Sequence, residues 1–528
     1  MRKTFTLILI CVSVLATATV RNVPASYPTV QGALNSCLPG DTVLVQPGTY
    51  FENITWPAIN PIKLLSAGDS SNTIIDGNNL GSVITFSSAA IDTNTVIRGF
   101  TITHGYKTGS AANGGGMLIS NASPKFEDVA VKDNGLNAGN WAYGAGVHCS
   151  NSSVVFENST IRNNHTDSAS WGYGGGAYLS GSGSPQFRNV KIENNSVRSD
   201  SWNHGTGIYC ADVYPVFENT IVRNNIAGDS AIWCYGTGMY FDGGLPTLTN
   251  VMITGNISGK GCTYYYGTGI YLQDCHANLT NVLIAGNILS DGGNFYYGGG
   301  IYQKSMTIIG SLVLMNVTVT DNKRSNGGSI NGSGLYIDAL PSIGITNSIF
   351  WNVNPGAEIS ANGATVVATY SDIRGGLVGI GNINSTPGFI SPTDFHLSAA
   401  SPCVNTGTLT GAPSFDLDNM PRPAPVGTNP DMGCYETSQP VSVIELQHSN
   451  LLFDIFPNPA KEYIVVSSEF GVNVKTEITI TDAIGKLCLR TPNSILPTKI
   501  DIRNFPNGIY FVSVDDGNQK AVKKFIKT

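Results

Sequence analysis

The segment Trp171-Gly-Tyr173-Gly-Gly-Gly176-Ala-Tyr178-Leu-Ser180 returns as Trp202-Asn-His204-Gly-Thr-Gly207-Ile-Tyr209-Cys-Ala211, and again as Trp233-Cys-Tyr235-Gly-Thr-Gly238-Met-Tyr240-Phe-Asp242. The spacing is 31 residues each time. Trp141-Ala-Tyr143-Gly-Ala-Gly146 precedes this series, and Tyr264-Tyr-Tyr266 and Phe295-Tyr-Tyr297, each followed by Gly-x-Gly, extend it. Behind every Gly-x-Gly comes an apolar stretch, then Phe or Leu two residues before an Asn, then a second Asn. A fixed period of this length means stacked, near-identical units, each burying its apolar face on its neighbours. Four of the six tryptophans fall in this register, so aromatic side chains line up in columns.

Inside a unit the apolar residues alternate with period two, which is the strand signal and not the helical one. Met117, Val147, Ala177, Ile208, Met239, Ile270 and Ile301 form one inward column, and Phe126, Phe156, Phe187, Phe217, Leu248 and Leu279 a second. After the first Asn the parity slips by one, with Val190 and Ile192 facing in, and such a slip marks a corner. Each unit is therefore predicted as three short strands joined by bends. Stacked strand on strand, the units make an all-β, right-handed parallel β-helix, a solenoid whose rungs contact only their neighbours.

The corner is itself a column: Asp128, Asn158, Asn189, Asn219, Asn250, Asn281, Asn316 and Asn347. A second column holds Asn134, Asn164, Asn195, Asn225, Asn256, Asn287, Asn322 and Asn352. Asn tolerates the backbone angles of a bend, and its amide can bond the Asn above and below. These positions are read as scaffold and not as ligand contacts. Positions 127, 157, 188 and 218 are Glu, Glu, Arg and Glu, while 132, 162, 193 and 223 are Lys, Arg, Glu and Arg. Opposite charges on adjacent strands attract modestly, so both columns are read as surface ladders.

The 528 residues allow more than one domain, and 41% hydrophobic with 12% charged residues excludes a disordered chain. With +2 in the first twenty residues and +2 in residues 451–528, a net charge of −7 leaves −11 for residues 21–450. An acidic body argues against nucleic acid as a partner, because that binding needs clustered Lys and Arg. Arg2-Lys3, the apolar run Phe5–Leu15 and Ala16-Thr-Ala18 read as a secretory signal over residues 1–18. No later segment is apolar enough to be read as transmembrane. Nine cysteines lie beyond that leader, an odd number. Cys403 and Cys434 are candidate disulfide partners. Cys149 and Cys210 sit two rungs apart, beyond disulfide reach, and are read as buried apolar groups.

Tyr27-Pro-Thr-Val-Gln-Gly-Ala-Leu34, Pro39-Gly-Asp-Thr-Val-Leu-Val45 and Pro47-Gly-Thr-Tyr50 resemble the N-terminal cap and first rung of secreted β-helix proteins of the pectate-lyase superfamily. Ile74-Ile-Asp-Gly77 and Gly99-Phe-Thr-Ile102 fit the same pattern. The Gly-x-Gly units resemble the repeats of polymorphic outer-membrane β-helix proteins. Residues 366–436, with Ser401-Pro-Cys403 and Asp431-Met-Gly-Cys-Tyr-Glu436, resemble closing rungs. The resemblance implies a short helix over the open end of the core. It covers about residues 27–436 of a β-helix read over residues 19–436, but names no activity, since the superfamily holds lyases, hydrolases and adhesins alike.

Residues 437–450 read as a polar linker. Beyond it, Phe456-Pro-Asn-Pro459, Asp482-Ala-Ile-Gly-Lys486, Phe505-Pro-Asn-Gly-Ile-Tyr-Phe511 and Lys523-Lys-Phe-Ile-Lys527 resemble the C-terminal sorting domain of the type IX secretion system of Bacteroidetes. That resemblance covers residues 451–528, where strand alternation and closely spaced turn signals by themselves read as a small β-sandwich. It implies the secretion machinery as a partner and a secreted or cell-surface destination.

Catalytic residues are not named by this sequence. A uronate lyase needs a Lys or Arg base, often with carboxylate-bound Ca²⁺; a glycosidase needs convergent carboxylates. Asp242 and Asp274 are offset by one position, and Asp167, Asp200, Asp229 and Asp291 stand at non-equivalent loop positions that suit turns. His104-Gly105 and His204-Gly205 are isolated pairs, with His204 replacing a Tyr of its column. No cofactor or metal site is read here, and Ca²⁺ belongs only to the lyase alternative.

Aromatic rings are the remaining candidates. Strand parity, counted back from Met239 and Phe241, turns Trp233 and Tyr235 inward or into the loop base. The residue between the two inward ones is Tyr178, Tyr209, Tyr240, Tyr271, Tyr302 and Tyr336. These six are expected to form a solvent-facing stripe and are the candidate glycan-binding residues, against the alternative that they only stack on each other or are covered by neighbouring loops. The leading functional expectation is a glycan- or polymer-binding, adhesin-like exported protein. The alternatives are a polysaccharide lyase or glycoside hydrolase, and a structural surface-layer protein.

Overall fold

The computed structural model describes residues 18–229, 231–306, 310–338, 342–437, 453–468, 475–483, 485–515 and 520–528. The expected leader, except residue 18, and the expected linker, except residue 437, lie outside them. The chain divides into two compact units, Met1–Ser438 and Gln439–Thr528.

The first unit is a parallel β-solenoid. One face is an eleven-stranded parallel sheet running from Ile54–Thr55 through Val147–Ser150, Ala177–Ser180, Ile208–Ala211 and Met239–Asp242 to Ile359–Asn362. Its register matches the repeat: Ala177 pairs with Ile208, and Tyr178 with Tyr209. The other two strands of each rung, for example Val155–Glu157 and Thr160–Arg162, belong to a twenty-three-stranded sheet bent at the Asn corner. Both inward columns are buried, with Phe126, Phe156, Phe187 and Phe217 stacked at centroid spacings of 4.8, 5.4 and 5.0 Å.

The corners explain the Asn and Gly columns. Asn158, Asn189, Asn219 and Asn250 all have φ near +50°, the left-handed region that Asn enters at low cost. Their amides bond along the axis, Asn189 Nδ2 donating to Asn158 Oδ1 at 3.0 Å. The second Asn column is fully buried and has ordinary backbone angles; the bend there is taken by the preceding residue, such as Asn163, Asn194 or Asn224. In this ladder Asn164 Nδ2 donates to Asn195 Oδ1, and Asn195 Nδ2 to Asn225 Oδ1, each at 3.0 Å. The ladder ends at Asn352, whose Nδ2 and backbone N–H both donate to the buried Glu358 carboxylate. The surface charge ladders form as expected, with Arg223 to Glu193 at 2.8 Å and Arg188 to Glu157 at 3.2 Å.

Both ends of the solenoid are closed by non-repeating chain. At the start, the helix Val30–Asn35 buries Val30, Ala33 and Leu34 over the core. Glu52 fixes it by accepting from the N–H groups of Val30 and Gln31 at 2.7 and 2.8 Å. At the other end Thr365–Thr369 and Asp372–Ile373 do form a closing rung, but beyond them the expectation of further rungs to residue 436 needs correction. Asp372–Ile373 is the last strand stacked on a rung. The chain then folds back as a strap along the outside of earlier rungs. The corner column holds it: Asn281 Nδ2 donates to Phe415 O at 2.6 Å, Asn316 Nδ2 to Asp431 O at 3.1 Å, and Asn347 Nδ2 to Thr408 O at 2.8 Å. Within the strap, Arg422 and Glu436 form a fully buried ion pair at 3.4 Å.

The cysteine expectation also changes. Cys403 and Cys434 are buried free thiols, and Cys403 Sγ donates to Asp372 Oδ2 at 3.3 Å. The disulfide joins Cys234 to Cys262. Cys149 and Cys210 are buried and free, as read from their spacing.

The second unit has two antiparallel sheets, Phe453–Phe456, Tyr463–Ser468 and Thr498–Asp501 in one, and Leu487–Ile495, Lys475–Asp482, Gly508–Asp515 and Lys520–Lys527 in the other. Phe453, Ile464, Ile480, Val512 and Phe525 build its own core.

Candidate functional site

Between the third strand of a rung and the first strand of the next, the chain leaves the solenoid as an arm. It runs out along strands such as His165–Ser168 and returns along Trp171–Tyr173, Trp202–His204, Trp233–Tyr235, Tyr264–Tyr266 and Phe295–Tyr297. The arms stack in register into a ten-stranded sheet of their own.

The Gly-x-Gly after each return strand is the hinge at the arm's root. Its first glycine, Gly174, Gly205, Gly236 or Gly267, has φ between +52° and +61°. Its last glycine faces the next rung: a Cβ on Gly207 would lie 2.4 Å from Gly238 O and 2.9 Å from Asn225 Nδ2. The first position therefore turns the chain, and the last admits the neighbouring backbone and the buried Asn ladder.

This hinge resets strand parity and overturns the inward half of the reading of Trp233 and Tyr235, while Tyr235 does pack at the base of the arm. The residues pointing into the arm are the middle ones. Ala142 packs with Leu136 and Ala138, while Cys234 and Tyr265 pack with Cys262 and Leu289. Tyr265 Oη donates to Gly259 O at 2.9 Å and accepts from Cys262 N at 3.1 Å. The flanking aromatics take the opposite face and make two parallel ladders. The outer one is Trp141, Trp171, Trp202, Trp233, Tyr264 and Phe295, with consecutive centroids 5.3, 6.0, 5.0, 5.8 and 4.8 Å apart. The inner one is Tyr143, Tyr173, His204, Tyr235, Tyr266 and Tyr297, at 4.9–5.5 Å.

The six-tyrosine stripe points out of the solenoid core, as parity requires, but it does not reach solvent along its length. Tyr209, Tyr240, Tyr271 and Tyr302 are only 6%, 4%, 2% and 3% exposed; Tyr178 and Tyr336, at the ends, are half-buried. The arm lays its inner ladder over them, edge to face: Tyr173 on Tyr209 at 5.2 Å, Tyr235 on Tyr271 at 5.1 Å, Tyr266 on Tyr302 at 5.0 Å. His148 continues the stripe by one rung, stacked on Tyr178 at 5.2 Å. Its place opposite Tyr178 in the register was legible in the sequence, but a lone His does not read as part of a tyrosine column.

Burial pushes the hydroxyls of Tyr209, Tyr240 and Tyr271 up, so they stay protonated donors. Tyr209 Oη donates to Asp242 Oδ2 and Tyr302 Oη to Asp338 Oδ2, each at 3.2 Å, and Gln273 Nε2 donates to Asp242 Oδ1 at 2.9 Å. A row of half-buried polar groups, Ser180, Asp242, Gln273, Lys304 and Asp338, thus flanks the aromatic bed. Burial raises the Asp242 carboxyl above its usual range, and the bonds from Gln273 and Tyr209 only partly oppose this.

The remaining sequence candidates serve locally. Asp167 accepts from Tyr106 Oη at 2.6 Å, and Asp229 accepts from Lys260 N at 2.7 Å. His104 pairs with Asp76 at 2.8 Å. His204 lies within the inner ladder with neither ring nitrogen bonded, and burial lowers its pKa to about 3. Among the described residues no group of three or more His, Cys, Asp or Glu is placed to hold a metal ion.

Further concave features lie away from the stripe. A groove of about 470 Å³ at the strap has Met252, Leu283 and Phe395 on its floor, with His396 held between Asp394 and Asp418. A smaller pocket of about 280 Å³ closes the last arm rung at Phe295 and Tyr297.

Residues 454–528 match the family of secretion system C-terminal sorting domains. No curated protein and no solved structure matches the chain. The last domain is the type IX sorting domain that its motifs resemble, and it directs the protein to the cell surface or the extracellular space. No helix among the described residues is long and apolar enough to cross a membrane.

Proposed function

We propose that this exported solenoid is an adhesin-like protein that holds an extended glycan on the arm face, along the axis of the stack. The observation that carries the reading is the outer ladder: six aromatic rings, one per rung, half-buried at the Trp positions and 40% exposed at Phe295. A pyranose offers an apolar C–H face that stacks on such rings, and rigid aromatics lose little entropy on binding. Rungs rise by about 4.8 Å, close to the advance of one sugar in an extended chain, so five steps present rings over about 24 Å. Asp242, Gln273, Lys304 and Asp338 supply the hydrogen-bonding groups that sugar hydroxyls need.

The six stripe tyrosines then serve as the bed beneath the ladder. They hold the arms at a fixed angle, and their ends at Tyr178 and Tyr336 are the parts open to a ligand.

Affinity electrophoresis of the full chain through a panel of soluble polysaccharides tests this. Trp171→Ala with Trp202→Ala and Trp233→Ala should abolish retardation on any glycan that slows the wild type, while Tyr240→Phe should leave it unchanged. Undiminished retardation of the triple variant would reject the ladder as the site. The hydrolase alternative would use Asp242, the half-buried carboxylate held beside the bed by Tyr209 and Gln273. It predicts new reducing ends in the same incubations, lost in Asp242→Asn.

A further inference from the structure

The ladder has two different ends. At its start the arm sheet continues to Tyr106–Asn113, whose return half carries Ala111 and Asn113 where later rungs carry aromatics. At its finish the last arm strand, Phe295–Tyr297, is followed by the shorter loop through Arg324 and Asn331, and the pocket of about 280 Å³ opens there. Phe295 and Tyr297, the terminal rings of the outer and inner ladders, form one wall.

Arg324 is the only charged side chain lining that pocket; Asn294, Ser329 and Asn331 supply neutral polar groups. Its guanidinium lies over the Tyr296 ring at 3.7 Å, which fixes the plane of the group. The side chain is 18% exposed, its Nε is buried without a hydrogen-bond partner, and its ion-pair contact with Asp291 is long, at 3.9 Å. A planar guanidinium held in one plane against an aromatic ring and lining a pocket is the arrangement that recognises a carboxylate or sulfate through paired bonds from its terminal N–H groups.

The rest of the surface argues that such an anion would be single. Residues 21–450 carry a net −11, and Asp242 and Asp338 lie beside the tyrosine bed. A polyanion along all six rungs would meet that charge, whereas one acidic group at the end would meet Arg324.

Resting on the ladder reading, we infer that this pocket is an end subsite. It takes an acidic group, a sugar carboxylate or sulfate, on the unit at one end of an otherwise neutral glycan, and so fixes the direction of the chain on the ladder.

The test uses neutral hexasaccharides of β-1,4-glucan, xylan and mannan, each paired with the same oligosaccharide bearing a uronate at one terminus. Titration calorimetry on the full chain should give about tenfold tighter binding for the acidic member of whichever pair binds. Arg324→Met removes the guanidinium and leaves an unbranched apolar side chain beside Tyr296; it should erase that preference and leave the neutral affinity unchanged. Asn331→Ala should weaken the preference independently, which separates loss of the subsite from loss of the arm. Equal affinity within a pair that binds overturns the subsite and leaves the ladder standing. Binding of no member of any pair overturns the ladder reading and the subsite together.

Discussion

Glu358 and His204 show how single side chains set the conditions under which the solenoid is stable. Glu358 accepts the last two donors of the buried Asn ladder, and burial raises its pKa from 4.5 to about 7 despite those bonds. Between those values the folded protein keeps a proton that the unfolded chain has released, so stability falls as pH rises across that window. Glu436 and Asp372, raised by burial to about 7 and about 6, act in the same direction. His204 acts oppositely. Its pKa drops from 6.5 to about 3, so the unfolded chain gains a proton that the folded one refuses, and stability falls as pH drops below 6.5. Melting curves by circular dichroism from pH 4 to 8 should show Glu358→Gln flattening the alkaline side and His204→Tyr flattening the acid side. A Glu358→Gln profile parallel to that of the wild type above pH 5 would sink the assignment.

At the scale of the element, the arm is the part of a rung that repetition alone does not stabilise. It projects away from the solenoid core, and its own interior is thin: small residues such as Ala142 and Gly172 in the early rungs, and Cys234, Tyr265 and Tyr296 in the later ones. The disulfide Cys234–Cys262 ties two consecutive arms where small residues give way to large ones. Closing a loop of this length is worth about 3 kcal/mol through the unfolded chain. Cys234→Ala with Cys262→Ala should therefore open arm residues 228–265 to limited proteolysis, while the strand signal of the solenoid in circular dichroism stays the same. Cleavage rates equal to those of the wild type would show that aromatic stacking alone fixes the arms.

At the scale of the whole molecule, the two units each own a hydrophobic core. The solenoid is closed by the helix Val30–Asn35 at one end and by the strap at the other, so its stability is set by rung-to-rung contacts and these two closures. The sorting domain packs around Phe453, Val512 and Phe525. Removal of residues 439–528 should leave the main melting transition of the solenoid within about 2 °C, a shift that for a unit of this length corresponds to roughly 2 kcal/mol. A larger drop would mean that the sorting domain contributes to the solenoid fold. Shortening the chain to residue 373, by contrast, should lower the transition, because it strips the strap from the Asn281, Asn316 and Asn347 amides.

The 31-residue period, the two inward columns, the Asn corners and the sorting motifs were all legible in the sequence, because each is a local rule repeated along the chain. A strand alternates, a left-handed bend selects Asn or Gly, and a repeat must bury the same face every time. The orientation of the aromatics was not legible. Parity counted from Met239 carried through the hinge at Gly236 and Gly238, and a hinge in the left-handed region resets which face a residue takes. The same limit left the burial of Tyr209, Tyr240, Tyr271 and Tyr302 as one of two alternatives, since their cover comes from the arm, another part of the rung. The pairing of Cys234 with Cys262, the strap on the Asn corners and the Arg324 pocket likewise depend on where non-repeating segments come to rest. Sequence determines what recurs along the axis; only the tertiary structure decides what lies across it, because contacts between columns are set by the angles of a few bends.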